Sequence, residues 1–190
     1  MLLLASASQR RTELLDLIKI EHKVVAQNFD EDSVTNSDPF MHSQEIVKGK
    51  NESAYNLLNQ EDKKLPILTS DTLVFTPSGE ILGKPMNDDD NIAMLEKFSN
   101  TTHSVFSSVM VRLQDQIKIK TCETLVTFKK LSEDEIKSYV YSNEGKGKAG
   151  GYGIHGSAGK FISRIEGSYT NVVGLPVHET YEILSDLKII

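Results

Sequence analysis

The chain has 190 residues, 38% of them hydrophobic and 25% charged, with a formal net charge of −6. That describes a soluble globular protein with a substantial core and argues against a general nucleic-acid surface. No apolar run approaches the roughly 20 residues of a membrane span, and the single Cys122 excludes an internal disulfide and multi-cysteine metal sites and fits a reducing, cytoplasmic setting.

Leu2 to Ala5 reads as a short buried strand, and the absence of a basic n-region before it argues against a signal peptide. Ser6-Ala7-Ser8-Gln9-Arg10-Arg11 follows and opens a helix with Leu14, Leu15, Leu17 and Ile18 on one side. Ser8 suits the N-cap. Two arginines in the first turn oppose the helix dipole, so they are either solvated side chains or a fork for phosphate. His22 to Ala26 reads as an edge strand running into Asn28-Phe29-Asp30-Glu31-Asp32. That acidic run is either a solvated loop or a source of a hard oxygen ligand for Mg²⁺. A helix is expected from Ser43 to about Leu58, with Ile46, Lys50 and Ala54 on one face; a lysine in such a place ordinarily snorkels to solvent.

Leu65 to Phe75 is nearly all apolar or β-branched, as in a strand buried on both faces. Ser70, Asp71 and Thr72 interrupt it in the middle. A carboxylate there needs a cation, a metal ion or a hydrogen-bond network, which leaves Asp71 either structural or catalytic. Thr76-Pro77-Ser78-Gly79 is a turn, followed by Glu80-Ile81-Leu82 and Gly83-Lys84-Pro85. This is no P-loop, because Pro85 replaces the required Ser or Thr and the glycine spacing is one residue short. A helix is expected from Asp88 to about Phe98, then a hairpin of Ser104–Leu113 and Ile117–Phe128 around Gln114-Asp115-Gln116, then a capping box at Ser132–Glu135 with a helix to about Tyr141.

The segment from Gly145 to Gly156 is glycine-rich, so it either approaches a ligand closely or is simply flexible. Phe161 to Ile165 suggests a strand, and Gly167 to Pro176 precedes a C-terminal helix through about Leu187, with Pro176 in its first turn.

Five of these stretches occur together and in order: Ser6-Ala7-Ser8-Gln9-Arg10-Arg11, Ser70-Asp71-Thr72, Gly83-Lys84-Pro85, Lys148-Ala149-Gly150-Gly151-Tyr152-Gly153-Ile154, and Gly167 to Pro176. The set resembles the Maf family, also called septum-formation inhibitor-like proteins, and the match covers almost the whole chain. The resemblance implies a mixed α/β fold like that of inosine-triphosphate pyrophosphatases, with a twisted central sheet flanked by helices. It implies one domain over residues 1–190, with two lobes around a central cleft as a variant. It also implies nucleoside-triphosphate pyrophosphatase activity, a divalent cation (Mg²⁺ or Mn²⁺) and frequent homodimerisation.

By the same resemblance Asp71 matches the proton acceptor, and Ser8, Arg11, Glu31, Lys50 and Lys84 match positions tied to phosphate or metal, the metal falling to Glu31 and Asp71. Arg10, Thr72 and His155 fall where base selectivity lies, and favour the dTTP/UTP subgroup. Two positions depart from the pattern: Gln9 stands where proline is usual, and His155 where that subgroup has glutamine. Neutral histidine offers one donor and one acceptor, against two donors and an acceptor for the amide. The competing readings are a non-catalytic nucleotide-binding regulator of cell division and a pyrophosphatase for modified purine triphosphates such as 7-methyl-GTP.

Overall fold

The computed structural model describes residues 1–190. It contains seven strands, β1 (Leu2–Leu4), β2 (His22–Val24), β3 (Ile67–Phe75), β4 (Ile81–Leu82), β5 (Thr102–Leu113), β6 (Gln116–Phe128) and β7 (Ile162–Glu166). The six helices are α1 (Gln9–Leu17), α2 (Pro39–Leu57), α3 (Asp88–Phe98), α4 (Glu133–Tyr141), α5 (Tyr169–Val173) and α6 (Val177–Asp186). The strands form one sheet in the order β2-β1-β3-β5-β6-β7, with β4 paired to β3. β1 runs parallel to β2 and β3, whereas β3–β4 and β6–β7 are antiparallel. The expected mixed α/β class, a central sheet flanked by helices, is therefore observed. No helix is long and apolar enough to cross a membrane.

Two compact units divide the chain: Met1–Asp71, Ser107–Cys122 and Gly174–Ile190 in one, Thr72–Phe106 and Glu123–Val173 in the other. In the first, Leu2, Leu3 and Leu4 are fully buried, as befits a short strand with a parallel neighbour on each side. β2 stops at Val24, short of the expected Ala26, because its partner β1 ends at Leu4, opposite Val24. β3 begins at Ile67 because Pro66 has no N–H to give and Leu65 N–H closes a 3₁₀ turn onto Asp62. Leu17, expected on the packed side of α1, is the last helical residue and is exposed.

Helix α2 starts at Pro39, four residues before the expected Ser43. The apolar period begins only at Ser43, but the start signal lies upstream: Asp38 caps Met41 N–H at 2.8 Å and Pro39 occupies the first turn. Its buried residues Ser43, Ile46, Val47, Lys50, Asn51 and Ala54 form one helical stripe. Asn51 Nδ2 donates to Ile67 O at 3.1 Å and Thr69 Oγ1 donates to Val47 O at 3.0 Å, which fastens α2 against β3.

In the second unit an aromatic cluster of Phe98, His103, Phe128, Tyr152 and Phe161 forms the core, with edge-to-face and stacked ring pairs. The capping box of α4 makes both of its reciprocal bonds. The glycine-rich segment is held at several points rather than free to move: Gly153 N–H donates to Tyr139 Oη at 3.0 Å, Tyr152 Oη pairs with His103 Nε2 at 2.8 Å, and Gly150 N–H donates to Gly83 O at 2.9 Å. Helix α5 sits inside the stretch that the spacing leaves irregular. Asn171 on it donates from Nδ2 to Val105 O at 2.9 Å and to Thr124 Oγ1 at 2.8 Å, a long-range tie with no local signature.

Candidate active site

Asp71 is the middle residue of the polar interruption of β3 and is 5% exposed. Its Oδ1 accepts a hydrogen bond from Lys50 Nζ at 2.6 Å, and the same ammonium reaches Glu31 Oε1 at 2.8 Å. Lys50 is 4% exposed, so it does not snorkel as the sequence suggests. Two carboxylates offset the desolvation of one ammonium, and α2 holds the lysine on its inward stripe. Glu31 belongs to a short 3₁₀ turn, Glu31–Ser33, whose N-cap Asp30 accepts from Asp32 N–H at 3.2 Å. Of the acidic run, Glu31 is the residue that joins the buried ion cluster.

The second oxygen of Asp71, Oδ2, is buried and accepts no hydrogen bond. An anionic oxygen in that state calls for a proton donor or a cation. Glu31 and Asp71 are the two carboxylates turned toward one point, whereas no cluster of three or more His, Cys, Asp or Glu is present to cage a metal. Two hard carboxylates fit Mg²⁺ or Mn²⁺ of the kind that completes its shell with water and substrate phosphate. The residues therefore suit the expected cation.

Arg11 lies in the first turn of α1. Its Nε donates to Gly174 O at 2.9 Å and its Nη1 to Ser6 Oγ at 2.9 Å. These bonds aim the planar fork and leave its remaining N–H groups for an anion. Burial pulls the guanidinium below its ordinary value, Asp71 and then Glu31 push it back up, and Arg10 pulls it down again. Asp71, Glu31, Arg10 and Arg11 thus lie within electrostatic reach of one another, and with Lys50 they leave three cations against two carboxylates. A local surplus of positive charge on a net-negative chain suits a polyanionic ligand.

Ser8 takes the N-cap position of α1 with extended backbone, but its side chain makes no capping bond; its N–H instead donates to Ser6 Oγ at 3.2 Å. Ser6 and the Gly174 carbonyl, which sequence reasoning did not single out, are the supports of this corner. Both lie inside the motifs quoted above, yet nothing local marks them as partners of Arg11. Thr72, Lys84 and His155 belong to the second unit, Thr72 half-buried and the other two exposed. There the Gly150–Gly83 bond ties the glycine-rich segment to the residue preceding Lys84.

Among known proteins, a dTTP/UTP pyrophosphatase of Treponema denticola is 43% identical, over 97% of this chain and 95% of its own length. Proteins of the same name from Chromobacterium violaceum and Pseudoalteromonas translucida are each 40% identical, over 96% and 95% of this chain and 92% and 94% of their own lengths. Among solved structures, the Staphylococcus aureus Ham1 protein aligns with a TM-score of 0.47 and 16% identity, over 67% of this chain and 71% of that one. A family model described as Maf-like protein matches residues 1–187. The chain belongs to the Maf family.

Proposed function

We propose that this protein is a divalent-cation-dependent pyrophosphatase that hydrolyses dTTP and UTP to the monophosphate and pyrophosphate. The observation that carries the chemistry is Asp71: a buried carboxylate with one oxygen bound by Lys50 and the other without a hydrogen-bond donor. The name shared by relatives over nearly the full chain supports the substrate class.

In this reading Asp71 Oδ2 takes a proton from water as the water oxygen bonds to the α-phosphorus. The P–O bond to the β-phosphate breaks, and pyrophosphate leaves with the electron pair. Lys50 holds Asp71 in position through Oδ1, so the acceptor oxygen stays fixed. Arg11, aimed by Ser6 and Gly174, and Lys84 bind phosphate oxygens. Glu31 and Asp71 would hold the divalent cation, which would supply neutralisation of the charge that builds on those oxygens. Phosphoryl transfer depends mainly on such positioning and neutralisation. Arg10, Thr72 and His155 are assigned to the base. Two carboxylates beside the cations, Asp71 buried and Glu31 partly exposed, favour an enzyme over a mere nucleotide binder, which gains nothing from anions facing phosphate.

A screen of natural and modified triphosphates with Mg²⁺ or Mn²⁺, measuring pyrophosphate and orthophosphate separately, tests this. dTTP and UTP should lead, with pyrophosphate as the first product. Orthophosphate as the first product refutes the reaction, and preferred hydrolysis of 7-methyl-GTP refutes the base assignment. Tight binding without turnover favours the regulatory alternative. Light scattering tests the expected homodimer, and the lone Cys122 accords with a cytoplasmic setting.

A further inference from the structure

Given the cation-dependent reading above, we infer that Lys50 is a built-in counter-cation of the metal site: it bridges Glu31 and Asp71, and the two carboxylates accept a divalent cation only as Lys50 releases Glu31.

The geometry makes the ammonium and a divalent cation competitors. Lys50 Nζ lies 2.6 Å from Asp71 Oδ1 and 2.8 Å from Glu31 Oε1, the point on which both carboxylates converge. The three partners are not held equally. Lys50 and Asp71 side chains are each 6% exposed and anchored on α2 and β3, whereas Glu31 is 44% exposed on a single 3₁₀ turn. The Lys50–Glu31 bond is therefore the one that yields. Asp71 Oδ2, buried without a donor, is the carboxylate oxygen that Lys50 does not occupy.

Like charges at this separation repel strongly in a partly desolvated site. Lys50 therefore weakens cation binding while the site is empty of anion. It also protects the fold, because Asp71 buried beside Glu31 with no cation between them is destabilising. A polyphosphate chain changes the balance by offering the ammonium another partner. Lys50 then leaves Glu31, the cation enters, and nucleotide and cation bind with positive coupling that is reciprocal by linkage. Lys50 is thus a positioning residue that ties readiness for metal to the presence of substrate.

The test uses Mn²⁺ alone, without nucleotide, and follows its binding by the electron paramagnetic resonance of the free ion. Lys50→Met and Lys50→Gln, the second keeping a hydrogen-bond donor without the charge, should bind Mn²⁺ at least about tenfold tighter than wild type. Mn²⁺ should also raise their melting temperature more than it raises the wild type's. Glu31→Gln should bind Mn²⁺ more weakly than wild type. Unchanged or weaker Mn²⁺ binding in both Lys50 variants overturns the inference, because a lysine that only supports the fold or only binds phosphate gives that result.

If neither variant folds, the wild-type protein labelled with ¹⁵N at lysine carries the test. The ammonium resonance of Lys50 should shift on saturation with Mg²⁺, and an unmoved resonance overturns the inference. The two readings fail separately. Absence of dTTP and UTP turnover with the Lys50 effect intact removes only the functional reading, whereas turnover without a Lys50 effect removes only this one.

Discussion

Lys50 and Asp71 meet at 2.6 Å with both side chains only 6% exposed, and each is the main reason the other can be buried as an ion. Glu31 at 2.8 Å makes the pair a triad in which one cation serves two carboxylates.

Asp71→Asn removes the proposed proton acceptor while keeping an oxygen for Lys50. Glu31 remains as the counter-charge, so the fold should persist. Turnover should fall by at least about 10²-fold, the lower end for loss of a general base. Steady-state pyrophosphate release per folded molecule measures it. Near-normal turnover would move the role to Glu31.

The three cations assigned to the proposed site, Lys50, Arg11 and Lys84, should separate by stability. Lys50→Ala strands a buried carboxylate, a loss of about 3–5 kcal/mol, and should lower the melting temperature by roughly ten degrees. Arg11→Ala removes donors from Gly174 O and Ser6 Oγ and should lower it by a few degrees. Lys84, exposed, should leave it unchanged on substitution by alanine. All three should lower kcat/KM. A Lys84 variant with normal kcat/KM would take that residue out of the site.

His103 is buried in the aromatic cluster, and burial alone drives its ring down to about 3 from the ordinary 6.5. The folded protein therefore keeps it neutral, whereas the unfolded chain protonates it below pH 6.5. Between about pH 6.5 and 3 the unfolded state binds more protons, so stability falls as pH falls, by up to about 1.4 kcal/mol per unit from this group. Denaturant unfolding of wild type and His103→Gln across pH 4–7 should show a shallower slope in the variant. Equal slopes would mean that His103 is not held neutral.

Gly151 has φ +68°, and a Cβ placed there would collide with Oδ1 of Asn91, a buried side chain at 2% exposure. Gly147 has a similar φ of +70° but open space around it. Gly147→Ala should therefore lose only the backbone strain, about 1–2 kcal/mol, while Gly151→Ala should lose clearly more. Thermal melts of the two single variants decide it, and equal losses would show that the collision relaxes.

Much of the fold was legible because its signals are local. Apolar runs marked β1 and β3, the Ser132–Glu135 capping box marked α4, and four-residue spacing put Ile46, Lys50 and Ala54 on one face of α2. The ordered motifs were enough to indicate the family and contain Arg11 and Asp71, and the resemblance they established pointed to Glu31 and Lys50 before any geometry. What only the tertiary structure decided was which of these meet, and in what state. Lys50 and Asp71 are 21 positions apart, and Arg11 and Gly174 are 163 apart. The burial of Lys50, opposite to the usual behaviour of a lysine at a helix surface, depends on two carboxylates arriving from other segments. Periodicity and capping act over a few residues of one chain segment, but an ion pair and its desolvation act through space, so their outcome is set only when the segments pack.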